Sequence, residues 1–453
     1  MSAGNPNTQD TICAIATPPG RGGIGIVRLS GPTAHPIGES LCGTKLKPRY
    51  AHFTPFKDSE QNLDEGIALF FPAPHSYTGE DVVELQGHGS PPIQQALIEA
   101  CLARGARLAE PGEFSQRAFL NDRLDLTQAE AVADLINAST AQAARAAQLS
   151  LQGAFSRHVN HLQDQLTQLR VLVEATIDFP EEELDPTDKS NIQQRLKKLI
   201  TQTDALLIEA HQAALYQEGA RAVIIGRPNA GKSSLLNQLV GYERAIITDQ
   251  AGTTRDTIEQ TIDLDGLPLT LTDTAGLNER PDKVEKIGIE RSLASAKNAD
   301  ILLFVFDATQ QKNPNLHPKL GDYTAILDTN KPILYLANKC DLLAGSRPQY
   351  PHPVLWISAT QGVGIETLKK AIKTCLYNHE GEPRFSARTR HVEALQRAAT
   401  PLQHGLEQFT QNSALELLAE DLRHSQLELG GITGTVSADE LLGEIFSHFC
   451  IGK

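Results

Sequence analysis

Phe155, Val159, Leu162, Leu166, Leu169 and Val173 recur at spacings of 4, 3, 4, 3 and 4 residues, which places all six on one face of an α-helix. The stretch around them, from Leu126 to Ile177, holds no proline and a single glycine, Gly153, so little interrupts helical structure there. The same rhythm returns late in the chain, where Val392, Leu395, Ala399, Leu402, Leu406 and Phe409 follow spacings of 3, 4, 3, 4 and 3. Pro401 falls inside this second run and is expected to kink or break the helix, because it has no N–H and its ring crowds the preceding turn. Ser413 with Glu416, and Ser437 with Glu440, have the spacing of capping boxes. A last amphipathic segment, 438–449, puts Leu442, Ile445, Phe446 and Phe449 on one face.

The period changes elsewhere. Before residue 120, short strand-like runs ("DTICAIAT", "GIGIVRLSG", "EGIALFF", "DVVELQG") alternate with Gly and Pro punctuation and one helix near 91–104. Between 218 and 378 the strands "RAVIIG", "TIEQTIDL", "LPLTLTD", "ILLFVFD", "PILYLAN" and "VLWISA" are read. Asp265-Gly266 joins the second and third as a hairpin. Helix-length segments separate the others, which implies parallel crossovers. The chain is therefore expected to be multidomain: an α+β domain over 1–120, an all-α domain in two parts over 121–217 and 379–453, and an α/β domain inserted over 218–378. The two helical parts are expected to pack together.

Composition narrows the function classes. The 453 residues are 40% hydrophobic and 21% charged, and 41 basic against 55 acidic residues leave a net charge of −14. A chain this acidic does not attract nucleic acid in bulk; an RNA partner needs a local basic patch or a partner protein. The six cysteines, at 13, 42, 101, 340, 375 and 450, form no CxxC pair, so a zinc knuckle or redox motif is not expected. Cys101 and Cys375 lie among apolar neighbours and read as core residues. The start lacks a signal peptide and "ILLFVF" is too short to cross a bilayer, so a cytoplasmic protein without membrane association is expected. The C-terminal "FCIGK" looks like a prenylation box, but Lys453 is the wrong last residue, and "SADELLGEIFSHF" before it carries three acids and no Lys or Arg.

Candidate chemistry concentrates in the α/β segment. "GRPNAGKSS" (226–234) follows a strand and fits GxxxxGK[ST], a loop whose backbone N–H groups cradle phosphates at a helix N-terminus. Lys232 is expected to reach the β/γ-phosphates and Ser233 to hold Mg²⁺. "DTAG" (273–276) ends the next strand but one; Asp273 suits Mg²⁺ through water and the Gly276 amide suits a γ-phosphate. "GTTRD" (252–256) lies between them as a switch loop, with Thr254 placed to supply a second hydroxyl to Mg²⁺. In "NKCD" (338–341), Asp341 can accept both the N1–H and the amine of guanine, a pattern adenine lacks, and "SAT" (358–360) suits the guanine O6. Five motifs in this order, each at a strand end, predict a GTPase. The position after DTAG, often a water-orienting Gln, is Leu277 here, so hydrolysis needs another group.

The same stretches, with "ATPPGRGGIGIVRLSG", "TGEDVVELQGHG", "PGEFSQRAFLNDRLDLTQAEAVADLI", "DFPEE", "VEKIGIERS" and "FCIGK", resemble the TrmE family of tRNA-modifying GTPases, also called MnmE, over essentially the whole chain. The resemblance implies that the first domain binds folate and mediates homodimerisation, and that the inserted domain is a Ras-like P-loop G domain. It implies a potassium-dependent GTPase that, with the FAD-containing partner MnmG, modifies carbon 5 of the wobble uridine (position 34) of certain tRNAs. A folate, 5-formyl- or 5,10-methylene-tetrahydrofolate, supplies a one-carbon unit.

Carried over by position, GTP contacts fall on Asn229, Ala230, Gly231, Lys232, Ser233 and Ser234; on Thr248, Asp249, Gln250, Ala251, Gly252 and Thr253; on Asp273, Thr274, Ala275 and Gly276; on Asn338, Lys339 and Asp341; and on Ser358, Ala359 and Thr360. Asn229, Thr248, Gln250 and Thr253 are the implied K⁺ ligands, and Ser233 and Thr254 those of Mg²⁺. Glu285 is implied to orient the attacking water, and Arg28, Glu84, Arg123 and Lys453 to contact folate; Cys450 reads either as a catalytic thiol near the one-carbon unit, acting as nucleophile or acid, or as a cysteine packed at a helix end. Two positions depart from the family pattern: Arg123 stands for Lys, and Asn278 for Arg. The alternative is a GTP-driven ribosome-assembly switch, but such proteins append a basic RNA-binding module, and the segment after residue 380 is helical and acidic.

Overall fold

The structure is a computed structural model that describes residues 10–59, 61–178, 186–242, 258–273, 299–310, 331–343, 347, 350, 352–376, 383–436 and 439–452. In chain order its elements are β1 (Ile12–Ile15), β2 (Gly22–Ser30), α1 (Ala34–Cys42), β3 (His52–Asp58), β4 (Gln61–Phe71), β5 (Val82–Gly89), α2 (Pro91–Leu102), β6 (Arg107–Leu108), α3 (Glu113–Leu120), α4 (Leu126–Asn137), α5 (Ala141–Leu151), α6 (Ala154–Asp178) and α7 (Pro186–Glu218). There follow β7 (Ala220–Ile225), α8 (Lys232–Tyr242), β8 (Ile258–Leu264), β9 (Leu267–Asp273), β10 (Ile301–Asp307), β11 (Ile333–Asn338), β12 (Val354–Trp356), α9 (Ile365–Leu376), α10 (Thr389–Asn412), α11 (Leu415–Thr433) and α12 (Asp439–Ser447). The chain forms two compact units, one of Met1–Ala133, Ser150–Thr203 and Ala394–Lys453, the other of Asp134–Leu149 and Asp204–Glu393.

The first unit contains a six-stranded sheet in the order β3-β4-β5-β2-β1-β6, antiparallel except where β6 runs parallel to β1. Alternation decides its faces: Val27, Leu29, Phe56, Ala68, Phe70, Val83 and Leu85 point to the side where Leu41 and Leu97 close the core. Strand β3 was not legible because Pro55 interrupts it; Pro55 is tolerated there because β3 is an edge strand. Strand β6, of two residues, is too short to leave a pattern.

The helical face read from the sequence is the observed one: Phe155, Val159, Leu162, Leu166, Leu169 and Val173 are all buried. The two helical stretches of this unit do pack together. Gln426 of α11 donates to Thr167 of α6 at 3.0 Å, and Gln193 of α7 donates to Thr410 of α10 at 2.9 Å. On α12, Leu442, Ile445 and Phe446, with Phe449 just beyond, pack on Leu126, Ala129 and Ala133. Burying each such side chain contributes about 1.5–3 kcal/mol.

Three expectations are corrected. Of the kink or break expected at Pro401, the break is excluded, because helix α10 continues through it; the buried Ser425 hydroxyl donates to the Ala398 carbonyl at 2.9 Å, one residue on from the Arg397 carbonyl, whose helical N–H partner Pro401 lacks. Ser413 forms no capping box: its φ is 53°, Ala414 is the N-cap of α11, and the Ser413 hydroxyl instead meets the Lys189 ammonium. Cys375 is exposed near the end of α9, while Cys101 is buried as expected. Ser437 lies outside the described residues.

The second unit carries a sheet in the order β12-β11-β10-β7-β9-β8, parallel throughout except for the β8–β9 hairpin. Asp265 (φ 47°) and Gly266 (φ 92°) form that hairpin's turn in the left-handed region, as Asp-Gly favours. Segment 134–149 belongs with this unit: the Thr140 hydroxyl donates to the Gly266 carbonyl at 2.8 Å, and the Arg388 guanidinium pairs with Asp134 at 2.7 Å. Among the described residues, no helix is long and apolar enough to cross a membrane.

Candidate functional site

In an open parallel sheet, ligands bind beyond the carboxyl ends of the strands. At that edge of the second unit, β7 delivers Gly226, β9 ends on Asp273, β10 on Asp307 and β11 on Asn338. The loop between β7 and α8 needs left-handed backbone at Asn229 (φ 61°) and Gly231 (φ 95°), and a Cβ on Gly231 would lie 2.2 Å from the Asn338 amide nitrogen. Only glycine fits that approach. Lys232, 7% exposed, sits at the start of α8 and donates to the carbonyls of Gly226 (2.9 Å) and Arg227 (3.0 Å). Burial pushes its ammonium below the usual lysine range, and the Asp273 carboxylate works against that shift. A buried ammonium at the start of a helix that follows a glycine-bearing loop is a ready phosphate site.

Asn338 binds two loops at once. Its amide nitrogen donates to the Ala230 carbonyl at 2.8 Å, and its oxygen accepts from the Ala359 amide at 3.0 Å. Ser358 pairs with Val363 in an isolated bridge, and Thr360 stands exposed beside it. Asp341 is exposed on a 3₁₀ turn over Cys340–Leu342. Ser234 is exposed on the first turn of α8. The Ser233 hydroxyl donates to Asp273 at 2.7 Å, a hard all-oxygen donor pair that fits Mg²⁺. The remaining nucleotide and ion candidates, Thr248, Asp249, Gln250, Ala251, Gly252, Thr253, Thr254, Thr274, Ala275, Gly276 and Glu285, lie outside the described residues, as do Leu277, Asn278 and Lys453.

Asp307 was not singled out in the sequence, although it closes a buried apolar strand just as Asp273 does. Its carboxylate takes the Lys339 ammonium at 2.7 Å and the amide and hydroxyl of Thr309 at 2.9 and 2.6 Å. Burial alone raises this carboxyl, but the bonds from Lys339 and Thr309 outweigh it and hold the group below the usual range. Lys339, itself at φ 62°, also donates to the Asn229 carbonyl at 2.9 Å. Asp307→Asn should therefore raise the Kd for GDP about tenfold, the loss expected when one charge-assisted hydrogen bond no longer fixes Lys339. Titration calorimetry measures it; an unchanged Kd would mean that the Asn229 carbonyl alone suffices.

A second constellation lies on the first unit's sheet. Arg28 of β2 and Glu84 of β5 are register partners on the face opposite the core, and their side chains pair at 2.9 Å. Gln86 donates to the other Glu84 oxygen at 3.1 Å. The Arg28 guanidinium lies 5.4 Å from the Tyr77 ring and 5.8 Å from the Phe114 ring, and donates to the Gly452 carbonyl at 3.3 Å. The C-terminal tail thus reaches Arg28, held in addition by the Gly112 amide on the Cys450 carbonyl at 3.4 Å. Gly452 has φ 94°, and a Cβ there would come within 2.4 Å of the Ile15 carbonyl oxygen. Cys450 is a free, exposed thiol.

Arg123 is exposed, with its stem over Gly79, in the loop that carries Tyr77. That loop is fastened from below. Arg117, fully buried, pairs with Glu80, Asp10 and Glu113 at 3.2, 2.6 and 2.9 Å. Burial alone raises the Glu113 carboxyl, but Arg107 and Arg117 hold it below its usual range. Breaking such a buried network costs about 3–5 kcal/mol. Tyr77, Phe114 and Gln86 were missed in the sequence; Tyr77, five residues before the start of β5, left no periodic signal.

A family model described as "MnmE helical domain" matches residues 126–450, and one described as "GTP-binding protein TrmE N-terminus" matches residues 11–123. The tRNA modification GTPase MnmE of Pseudomonas fluorescens (strain Pf0-1) is 51% identical over 98% of this chain and 99% of its own length. That of Proteus mirabilis (strain HI4320) is 50% identical over 99% of this chain and 100% of its own. Among solved structures, the G domain of the T. maritima FeoB iron transporter is 24% identical, covers 34% of this chain and 97% of its own, and has a TM-score of 0.25. With both family models and full-length relatives in agreement, the chain belongs to the MnmE (TrmE) family of tRNA modification GTPases.

Proposed function

We propose that this protein hydrolyses GTP in its second unit and uses the cycle to drive modification of carbon 5 of the wobble uridine of tRNA at a folate site in its first unit. It acts as a cytoplasmic homodimer with an FAD-containing MnmG partner. The observation that carries the reading is the junction of Arg28, Glu84 and the C-terminal tail, because a plain GTP switch has no use for it.

At the nucleotide site, Lys232 and the amides of the loop after β7 hold the phosphates. Ser233 and Asp273 hold Mg²⁺, and Asn229 offers a ligand to K⁺. Asp341 accepts the guanine N–H groups, and Asn338 keeps the phosphate and base loops in register. Glu285 orients water in place of the residue that Leu277 replaces.

At the first-unit site the donor set suits a folate. The Glu84 carboxylate can accept paired N–H groups of a pterin edge, Tyr77 and Phe114 supply flat walls, and Arg28, Arg123 and Lys453 answer the carboxylates of the glutamate tail. When bound, the folate supplies a one-carbon unit. Arg28 fixes where the tail lies, and Cys450 is carried beside it as a thiol able to act as nucleophile or acid once its pKa is lowered.

Two variants test the tail: removal of residues 450–453, and Cys450→Ser. Both should keep GTP hydrolysis and lose wobble-uridine modification, read by nucleoside mass spectrometry. If the truncated chain modifies tRNA as well as wild type, the tail has no part in the chemistry. If Cys450→Ser alone stays active, the thiol is structural.

A further inference from the structure

We propose that the edge of the first sheet formed by residues 43–57 is an RNA-docking surface that holds the phosphate backbone and an unpaired base of the tRNA; the proposal rests on the tRNA-modifying reading above. A net charge of −14 rules out bulk attraction, so cations must be gathered locally. Segment 43–57 does this: it holds Lys45, Lys47, Arg49 and Lys57 and no Asp or Glu, and all four cations are exposed.

The carboxylates nearby do not cancel them. Asp58 pairs with Arg104 at 3.1 Å, Asp64 with His88 at 2.7 Å, and Glu39 accepts from the Leu46 amide at 3.0 Å. Glu65, opposite Pro55 on β4, is the nearest exposed acid of the neighbouring strand. Lys45, Lys47 and Lys57 have no ion-pair partner among the described residues.

Aromatic rings stand among these cations. Tyr50 is 59% and Phe53 74% exposed, and the Lys47 ammonium lies 5.8 Å from the centre of the Tyr50 ring. Flat exposed rings between cations are what single-stranded nucleic acid stacks on. The bland alternative is that lysines and Pro55 merely guard an edge strand against pairing. A guard needs charge and proline, but it does not need two large aromatic side chains as exposed as Tyr50 and Phe53.

The surface is also firmly mounted. The Arg49 amide donates to the Phe70 carbonyl at 2.8 Å, its guanidinium to the His75 carbonyl at 2.6 Å, and the Lys47 amide to His52 at 2.8 Å. Its place suits the chemistry. Phe53 pairs with Ile67, Leu69 with Glu84, and Glu84 with Arg28, so Phe53 and Arg28 share one sheet face. Three strand spacings separate them, about 15 Å. RNA gripped at the edge would leave neighbouring nucleotides within reach of Arg28.

The test measures unmodified tRNA binding by fluorescence anisotropy between 50 and 200 mM KCl, using the full chain and the triple variant Lys45→Gln, Lys47→Gln, Lys57→Gln. The triple variant should bind about 10- to 100-fold more weakly at 100 mM salt, and its log–log salt slope should be shallower by about 2 to 3. Tyr50→Ala should weaken binding several-fold with no change of slope. GTP hydrolysis and sedimentation should match wild type in both. A triple variant with wild-type affinity and slope overturns the surface and leaves the tRNA reading standing. A triple variant that changes its oligomeric state instead assigns this edge to a second copy of the chain. Wild-type protein that binds no tRNA at any salt overturns the surface; the tRNA reading is overturned only by unchanged wobble-uridine modification in cells lacking this chain.

Discussion

Replacing potassium by sodium at equal ionic strength should slow GTP hydrolysis by about 10³-fold or more, the scale on which a missing transition-state cation acts in related phosphoryl transfers. Leu277 cannot hold water, no arginine finger is visible in the sequence, and Asn229 lies in the loop after β7 with its side chain exposed and, among the described residues, not hydrogen-bonded. Its backbone, by contrast, is pinned: Lys339 holds the Asn229 carbonyl at 2.9 Å and φ is 61°. That division makes the variant informative. Asn229→Ala removes the ligand but also forces a Cβ-bearing residue without a local hydrogen bond into left-handed backbone, at about 1–2 kcal/mol. Asn229→Gly removes the ligand without that strain. Both should bind GDP within about twofold of wild type, since Lys232 and Asn338 are untouched, and both should lose the potassium response. Phosphate release in KCl and NaCl measures it, and equal rates in the two salts for wild type would remove the idea.

Glu285→Ala should bind GTP with wild-type affinity and hydrolyse it about 10²- to 10⁴-fold more slowly, the range for loss of a group that orients or activates water. An aliphatic side chain at Leu277 leaves the water without a polar partner, and Glu285 is the acid the family pattern offers instead. Single-turnover hydrolysis at saturating GTP isolates the chemical step. Wild-type turnover in the variant would show that another group positions the water.

Much of this was legible in the sequence, for a physical reason in each case. The 3.6-residue period of Phe155 to Val173 survives in the chain because one face of α6 is buried along its whole length. The nucleotide motifs were legible because their spacing is set by backbone geometry: the loop after β7 takes positive φ at Gly226, Asn229 and Gly231. What was not legible depends on contacts between distant segments. The Asp307–Lys339 pair joins the ends of two strands, whereas the approach of Gly452 to Arg28, 424 residues apart, was legible only through the family resemblance that put the C-terminal tail at the Arg28 site. Ser413 misled because its capping-box spacing is local, while Lys189, which meets its hydroxyl, comes from another helix. A break at Pro401 was open from the sequence, whereas α10 runs through it, with Ser425 of the neighbouring helix bonded to the Ala398 carbonyl.

On the proposed function, GTP hydrolysis in the second unit serves uridine chemistry at the first-unit site. The most direct test is nucleoside analysis of total tRNA from cells lacking this protein, with and without the intact chain restored. Uridine 34 should lose its carbon-5 substituent in the null cells and regain it with the intact chain, and Glu285→Ala should fail to restore it although it binds GTP. Wild-type levels of the modified uridine in the null cells would contradict the account.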